Sequence, residues 1–256
     1  MSEVLTTGWE SGLPAEDSLT RRFVLAYADR ITAMAERTGG RQAWAAGARM
    51  VDLRSPFGYD NAVVVTRPLF GDEWTAVLDA AGAFYPPDRW WVLLSVFPTP
   101  GLAGLVPVGH PPLMLRVPAP FPPAPSGLEI RPVRDATTLA DFEAVLVEAY
   151  GLAEVGAPAI ADLTLAGSLL HLRVGYVDGR PVATAGSAVH HGVVEVDWVA
   201  SVVRRRGYGA ALTAAVAGVA PELPSVLIAS DDGHGVYRRL GYLDLFRTTM
   251  WEHPPS

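Results

Sequence analysis

The sequence contains no cysteine and no lysine, and each absence excludes a kind of chemistry. Without cysteine among its 256 residues, the chain has no disulfide, no thiolate metal site and no cysteine nucleophile. All 20 positions counted as Lys or Arg are arginine, which excludes a Walker phosphate loop and a Schiff base. Because a chain without cysteine suits a reducing compartment, we expect it to be cytoplasmic.

Long apolar runs are also missing. Proline, glycine or charge interrupts every apolar stretch well short of the roughly 20 residues that span a bilayer. The first 17 residues are polar and acidic, so we expect no signal peptide. A formal net charge of -7 repels phosphates and anionic lipid. We therefore expect neither nucleic acid nor a membrane as a partner, while a homodimer stays open.

What is present predicts globular structure in two parts. Half of the residues are hydrophobic, and the length is about twice that of a common domain. Residues 117–127, VPAPFPPAPSG, are too rich in proline for a helix or a central strand. We therefore predict an accessory or degenerate domain over 1–117, a linker over 118–127 and a second domain over 128–256.

The second half alternates predicted strands and helices in the manner of an α/β domain. Apolar residues recur at helical spacing after Asp135, with Asp135 or Thr137 as a plausible N-cap, and Asp178-Gly179 is a strong hairpin signal. The predicted strands cover 128–133, 171–177, 181–189, 193–200, 226–229 and 242–251, and the predicted helices cover 137–150, 158–168, 210–220 and 235–240.

The first half repeats part of this order with little sequence identity. Its predicted helices cover 19–38, 72–81 and 101–106, and its predicted strands cover 61–66, 90–97 and 113–117. The strand-helix-strand-helix-strand order matches the end of the second half, with Gly109 in the place of Gly241. The pattern predicts a degenerate duplication.

The segment 204–210, RRRGYGA, holds the clearest chemical signal. Gly207 and Gly209 allow a tight turn and close approach of a ligand to the backbone. The turn leads into a predicted helix, whose free N–H groups and dipole favour an anion. Three arginines alone are typical of a solvated surface, and Leu212 stands where a dinucleotide motif needs its third glycine. The combination of strand, turn and helix instead predicts a pyrophosphate site.

These residues resemble the GNAT superfamily of N-acyltransferases. Arg204-x-x-Gly207-x-Gly209 is similar to its R/Q-x-x-G-x-G/A motif, and residues 237–242, YRRLGY, resemble its second hallmark. The resemblance covers about 128–252. It implies an α/β (α+β) GNAT fold, with a mixed, mostly antiparallel central sheet flanked by helices, in tandem with a degenerate GNAT-like first half.

The resemblance implies a function and a cosubstrate. GNAT enzymes mostly use acetyl-CoA and need no metal. The expected reaction transfers the acetyl group to a primary amine of a small molecule or peptide, by direct attack in a ternary complex. The alternative is a non-catalytic acyl-CoA-binding sensor or scaffold. The acceptor amine is not predictable from the sequence.

The resemblance also implies roles for individual residues. Tyr237 matches the general acid, and Glu195 stands where some members have a catalytic base. Asp197, on the same face of the strand as Glu195, is the alternative base. The expected cofactor-binding residues are Asp197, Trp198, Val199, Arg204, Arg205, Arg206, Gly207, Tyr208, Gly209, Ala210 and Ser230, the last in a position where many members have asparagine. The first half lacks the motif, so we expect one CoA site per chain.

Overall fold

The computed structural model describes residues 18–160 and 162–254, which form helices and strands in two mixed sheets. The helices are α1 (Leu19–Thr38), α2 (Glu73–Phe84), α3 (Ala136–Tyr150), α4 (Tyr208–Ala217) and α5 (Asp231–Arg239). The strands are β1 (Arg41–Ala45), β2 (Ala48–Asp52), β3 (Asn61–Val65), β4 (Trp91–Ser95), β5 (Val106–Gly109), β6 (Pro112–Arg116), β7 (Glu129–Pro132), β8 (Arg173–Val177), β9 (Arg180–His190), β10 (Val193–Ser201), β11 (Ser225–Ile228), β12 (Leu243–Arg247) and β13 (Thr249–His253).

The two sheets share one pattern of strand order. The first sheet has the order β1-β2-β3-β4-β13-β5. The second, read in the same direction, has the order β7-β8-β9-β10-β11-β6-β12, in which β8 to β12 correspond to the six strands of the first sheet. Each sheet has one parallel pair, β3 with β4 and β10 with β11, among antiparallel neighbours. In both sheets an α-helix connects the two parallel strands, as a parallel crossover requires. The repeated pattern agrees with a duplicated unit.

Each half of the chain contributes its last strand to the sheet of the other half. β6 lies between β11 and β12 in the second sheet, and β13 lies between β4 and β5 in the first. Only Thr248 separates β12 from β13, and its buried side chain and its N–H both donate to the Pro111 carbonyl at 2.9 Å. The two sheets are therefore interlocked, although the proline-rich segment lies between the halves in sequence.

Helix α1 packs between the two halves. Ser18 accepts a hydrogen bond from Arg21 N–H at its start, and Gly39 ends it at a φ of 74°. Its buried Phe23 and Met34 belong to a hydrophobic cluster that also contains Phe142 of α3 and strand residues of both sheets. The helix therefore brings residues of the first half close to the second sheet.

Two predicted helices are wrong. The described part of 158–168 forms turns, and Gly167 has a φ of 75°, which interrupts any helix there. Ile160 and Leu165 are buried from these turns rather than from one helical face. The segment 101–106 is likewise a turn, with Gly104 at a φ of 80°, and leads into β5. Both segments have apolar residues at helical spacing, but in the folded chain these side chains are buried from turns instead of from a helix.

Other elements differ in extent or were not predicted. The final strand predicted over 242–251 is two strands, β12 and β13, in different sheets. The β1–β2 hairpin has no Asn-Gly or Asp-Gly signal; instead Ala46 and Gly47 both adopt positive φ, 53° and 88°. Helix α5 begins at Asp231, four residues before the predicted 235, because Ser230 caps it.

Candidate active site

A cavity of about 760 Å³ lies between the two halves of the chain. The first half lines it with α1 and with the segment before β3, and the second half lines it with β10 and the start of α5. Four of the predicted site residues contribute to its walls: Glu195, Asp197, Trp198 and Ser230. The predicted site residues of β10 therefore line a space that is large enough for a small ligand.

Strand β10 has an irregularity at the predicted cofactor residues. Its antiparallel register with β9 shifts between Asp197 and Ala200, so Trp198 and Val199 leave the regular ladder. Trp198 has a φ of 53°, rare for a bulky side chain, and its N–H donates to its neighbour Asp197 Oδ1 at 2.8 Å. Such a bulge redirects side chains and backbone groups, and here it occurs beside the cavity.

The pairing of β10 with β11 stops early. The parallel pairs are Val194 with Ser225 and Glu195 with Val226, although β10 continues to Ser201. The backbone beyond Glu195 is therefore not joined to β11 by the ladder. An extended ligand with amide groups can pair with a strand at such an opening, as an added strand does.

The loop after β10 leads from this opening to the N-terminus of α4. Gly207, at a φ of 77°, is the N-cap and offers no side-chain hydrogen bond, so the first-turn N–H groups are not capped by it. A Cβ atom on Gly209 would lie 3.7 Å from Val199 Cγ1, so the helix start is close to the bulge. Arg205 and Arg206 are exposed beside it, and Arg204 lies 3.4 Å from Asp232 of α5. Amide donors and positive charge are thus concentrated at one helix start.

Glu195 is paired with an arginine that the sequence does not predict. Arg30 of α1 donates from Nε to Glu195 Oε2 at 3.0 Å and from Nη2 to Oε1 at 2.7 Å. Only 2% of Arg30 and 3% of Glu195 are exposed. The guanidinium also lies over the rings of Tyr27 and Trp198, 4.7 and 4.5 Å from their centroids. No motif marks Arg30, because its partner lies 165 residues further along the chain.

The two carboxylates next to Arg30 differ in their exposure. Burial raises the pKa of Glu195, and the charge of Arg30 opposes that shift. Desolvation lowers the pKa of Arg30, but the Glu195 and Asp197 carboxylates outweigh it, so the net direction is upward and the guanidinium stays charged. Asp197 Oδ2 lies 3.2 Å from Arg30 Nη2, yet 42% of its side chain is exposed. Asp197 is therefore the more accessible carboxylate.

Tyr237 lies on α5 and, unlike Glu195 and Asp197, is not among the residues that line the cavity. Its side chain is buried and lies edge-to-face with Tyr242, with 5.9 Å between ring centroids. A Cβ atom on Gly233 would lie 2.8 Å from Tyr237 Cε2, so the ring needs glycine there. Burial, and then the charge of Asp197, raise the pKa of Tyr237 above its usual range. The phenol therefore keeps its proton at neutral pH.

Ser230 has a structural contact in addition to its place at the cavity wall. Its Oγ accepts the Gly233 N–H at 3.2 Å and so caps α5. Asp231 and Asp232 stand in the first turn, where carboxylates favour the helix dipole. The cap explains why serine suits a position at which asparagine is expected, since both residues cap helices well.

Asp60, from the first half, is a second site residue that the sequence does not predict. It is 6% exposed and lines the cavity, and its Oδ2 accepts from Ser55 Oγ and from Ala159 N–H, both at 2.6 Å. Burial raises the pKa of Asp60 to about 6. Both donors are neutral, and Asp60 forms no ion pair with any of the described residues, although the charge of Arg30 opposes its pKa shift.

The first half has no anion site at the place equivalent to 204–210. There the Glu73 carboxylate accepts the Phe70 N–H at 2.9 Å and Arg67 Nη2 at 2.6 Å. The Phe70 amide and the Arg67 guanidinium, which a phosphate would need as donors, are therefore already engaged by Glu73.

Solved structures share this fold over most of the chain. No protein-family model matches the sequence, and no curated protein matches it. A GCN5-related N-acetyltransferase from Kribbella flavida is 24% identical with a TM-score of 0.70, covering 94% of this chain and 97% of that one. A putative acetyltransferase from the GNAT family of Novosphingobium aromaticivorans is 17% identical with a TM-score of 0.60, covering 90% and 96%.

A tandem GNAT protein from the clavulanic acid biosynthesis pathway matches too, at 14% identity and a TM-score of 0.53, covering 95% of this chain and 98% of that one. The predicted GNAT fold in tandem is therefore confirmed. In the described ranges, no cluster of three or more His, Asp or Glu is arranged to hold a metal ion. No helix of those ranges is long and apolar enough to cross a membrane.

Proposed function

We propose, from the GNAT fold of this chain, that it is an N-acyltransferase that uses acetyl-CoA to acetylate a primary amine. The opening between β10 and β11 at the Trp198 bulge, leading to the uncapped start of α4, is the observation that supports this most directly. It offers strand-like backbone groups for an amide-containing arm and helix N–H groups for a pyrophosphate. These are the two chemical parts of the CoA carrier.

The proposed cofactor contacts follow that path. Backbone groups of Asp197, Trp198 and Val199 pair with the pantetheine arm, and amides of 205–210 bind the pyrophosphate. The exposed Arg205 and Arg206 add positive charge near the phosphates. Ser230 lines the cavity, and we propose that its hydroxyl contacts the bound cosubstrate there.

The contacts favour Asp197 over Glu195 as the base. Both Glu195 oxygens accept hydrogen bonds from Arg30, so a proton placed there would break a buried ion pair. Asp197 also accepts from Arg30 and from the Trp198 N–H, but 42% of its side chain is exposed, so solvent and an amine can reach it. Its charge also raises the pKa of Tyr237, which supports pairing these two residues as base and acid. We assign Glu195 to holding Arg30 and Asp197 to accepting the proton, directly or through water.

The proposed reaction then balances. The ammonium loses one proton to Asp197, which passes it on to solvent. The amine nitrogen then attacks the thioester carbonyl, and N–H groups of the bulged strand stabilise the developing oxyanion. The nitrogen loses its second proton to solvent as the amide forms. The C–S bond breaks, and Tyr237 donates its proton to the departing sulfur. Solvent returns a proton to Tyr237. An ammonium and acetyl-CoA thus yield an amide, a free thiol and one released proton.

The test compares Tyr237→Phe with the wild type in an acetyl-CoA-dependent thiol-release assay over a panel of amines. We expect kcat to fall by about 100-fold or more, with the Kd of acetyl-CoA unchanged. Asp197→Asn should lose activity and Glu195→Gln should lose stability. Undiminished turnover by Tyr237→Phe would remove the tyrosine from the mechanism. Acetyl-CoA binding without thiol release on any amine would favour the sensor or scaffold instead.

A further inference from the structure

The cavity contains more buried negative than positive charge. Glu195, Asp197 and Asp60 all line it, and Arg30 is the one buried cation among the described lining residues. Arg30 donates two hydrogen bonds to Glu195 and a third to Asp197. Asp60 receives only the neutral donors Ser55 and Ala159 N–H. Among the described residues, Asp60 thus has no cation at ion-pair distance, and the charge of Arg30 is the weakest of the named influences on its pKa.

The exposed charges near the cavity do not supply that cation. Arg247 and Asp231 also line the space, and their charges oppose each other. Arg247 donates to the His110 carbonyl at 2.8 Å, outside the buried group. An unmatched buried carboxylate is costly unless a cation enters, and the raised pKa of Asp60 agrees with that cost. A ligand with a positive group relieves it.

The remaining walls are apolar and partly aromatic. They include Phe23, Ile31 and Met34 of α1 and Leu53, Phe57 and Tyr59 of the first half. The Tyr59 hydroxyl is the one polar side-chain group among these six, so hydroxyl groups or a second charge placed against them would be buried with few partners, which is unfavourable. A ring-sized apolar body fills them well. The volume falls within the roughly 300–1,000 Å³ of small-molecule sites.

We propose that this cavity is the acceptor site, and that the acceptor is a monoamine with one ammonium group on an apolar, ring-containing body. The proposal rests on the proposed acyl transfer. The negative potential of Asp60 and Asp197 holds the ammonium, Asp197 then takes its proton, and the walls from the first half enclose the body. Asp60 is a specificity residue in this scheme, supplied by the half that has no CoA site.

The test uses 2-phenylethylamine as probe, with 2-phenylethanol as its neutral counterpart and spermidine and a lysine-containing tetrapeptide as competitors. Calorimetry on the full chain without acetyl-CoA should show 2-phenylethylamine binding at least ten-fold more tightly than 2-phenylethanol, because only the amine supplies the charge. In the thiol-release assay, kcat/KM for 2-phenylethylamine should exceed that for spermidine and the peptide by ten-fold or more.

Asp60→Asn and Asp88→Asn form the matched pair of variants. Asp88 is exposed in the same half and is not among the cavity residues. Asp60→Asn should raise the KM for 2-phenylethylamine at least ten-fold and leave the Kd of acetyl-CoA unchanged, which also shows that the variant folds. Asp88→Asn should change neither. Should Asp60→Asn fail to fold, the calorimetric comparison of 2-phenylethylamine with 2-phenylethanol on the wild type still tests whether the cavity prefers a cation.

The outcomes separate the two proposals. If acetyl-CoA binds and the peptide or spermidine is acetylated in preference to 2-phenylethylamine, the inferred acceptor class is wrong and the acyl transfer stands. Equal binding of the amine and the alcohol also overturns it. If acetyl-CoA neither binds nor releases thiol, the proposed function fails, whereas tight, Asp60-dependent binding of the amine would still support an amine site.

Discussion

At the scale of single residues, the site depends on side chains that no local pattern marks. Glu195 and Asp197 are predictable, since they alternate on a strand that precedes a recognisable loop. Arg30 and Asp60 are not, because each acts on a partner roughly 100 or more residues away. A single sequence shows such a pair only as two separate charged residues, and a charged residue alone predicts a solvated surface.

Removing Arg30 should destabilise the protein strongly. Arg30→Met leaves Glu195 buried without its cation, and breaking such a pair costs about 3–5 kcal/mol. Urea unfolding should show this loss, and the double variant Arg30→Met/Glu195→Gln should recover part of it. The exposed pair of Arg67 with Glu73 is the control, since solvent screens it and Arg67→Met should leave stability nearly unchanged. Equal effects of the two single substitutions would contradict the importance of the buried pair.

The stability of the ligand-free protein should depend on Asp60 and on pH. Its folded pKa of about 6 lies above its ordinary value of 3.8, so between these the folded state binds more protons than the unfolded state. This contribution to stability therefore falls as the pH rises from 4 to 6. Asp60→Asn keeps an acceptor oxygen without the charge, so its Tm relative to wild type should rise between pH 4 and pH 7. A difference in Tm that is the same at both pH values would contradict the raised pKa.

At the scale of elements, sequence patterns located most helices and strands but not their ends or partners. Helix α1 coincides with its predicted range, because a capping serine and a closing glycine mark both ends. The segments 101–106 and 158–168 failed because their apolar residues are buried from turns. The bulge at Trp198 has no sequence signal at all, since tryptophan rarely adopts positive φ. The bulge depends on the tertiary contacts of β10, which the local sequence does not show.

Gly207 should matter for the CoA site through its backbone. Alanine in the left-handed conformation costs about 1 kcal/mol or more, so Gly207→Ala should displace the amides of the loop. We expect the Kd of acetyl-CoA to rise by roughly ten-fold. Gly71 in the equivalent loop of the first half also has positive φ, 51°, with no atom within 4 Å of an added Cβ. Gly71→Ala should leave acetyl-CoA binding unchanged; a similar loss there would mean that the effect is general destabilisation.

At the scale of the whole molecule, the exchange of β6 and β13 makes the site a product of both halves. Sequence periodicity predicts strands but not which sheet they join, and β12 and β13 appear in sequence as one strand. Helix α1, which carries Arg30, packs against β10, and Asp60 lines the same cavity as Glu195 and Asp197. The half without the motif thereby lines the cavity that we propose as the acceptor site.

The exchange predicts that the protein survives a cut in its linker. With a protease site introduced in 118–127, the first fragment keeps β6 in the sheet of the second, and the second keeps β13 in the sheet of the first. The nicked protein should elute as one species in size-exclusion chromatography and come apart only in denaturant. Fragments that separate under native conditions would contradict the interlocked sheets.

The most direct measurement is a calorimetric titration of acetyl-CoA into the full chain. The bulged opening beside β11 and the uncapped start of α4 predict saturable binding, and Glu73 in the equivalent place of the first half predicts a stoichiometry of one per chain. Gly207→Ala should weaken that binding and Gly71→Ala should not. The absence of binding, or two equivalent sites per chain, would contradict the proposed acyl-CoA site.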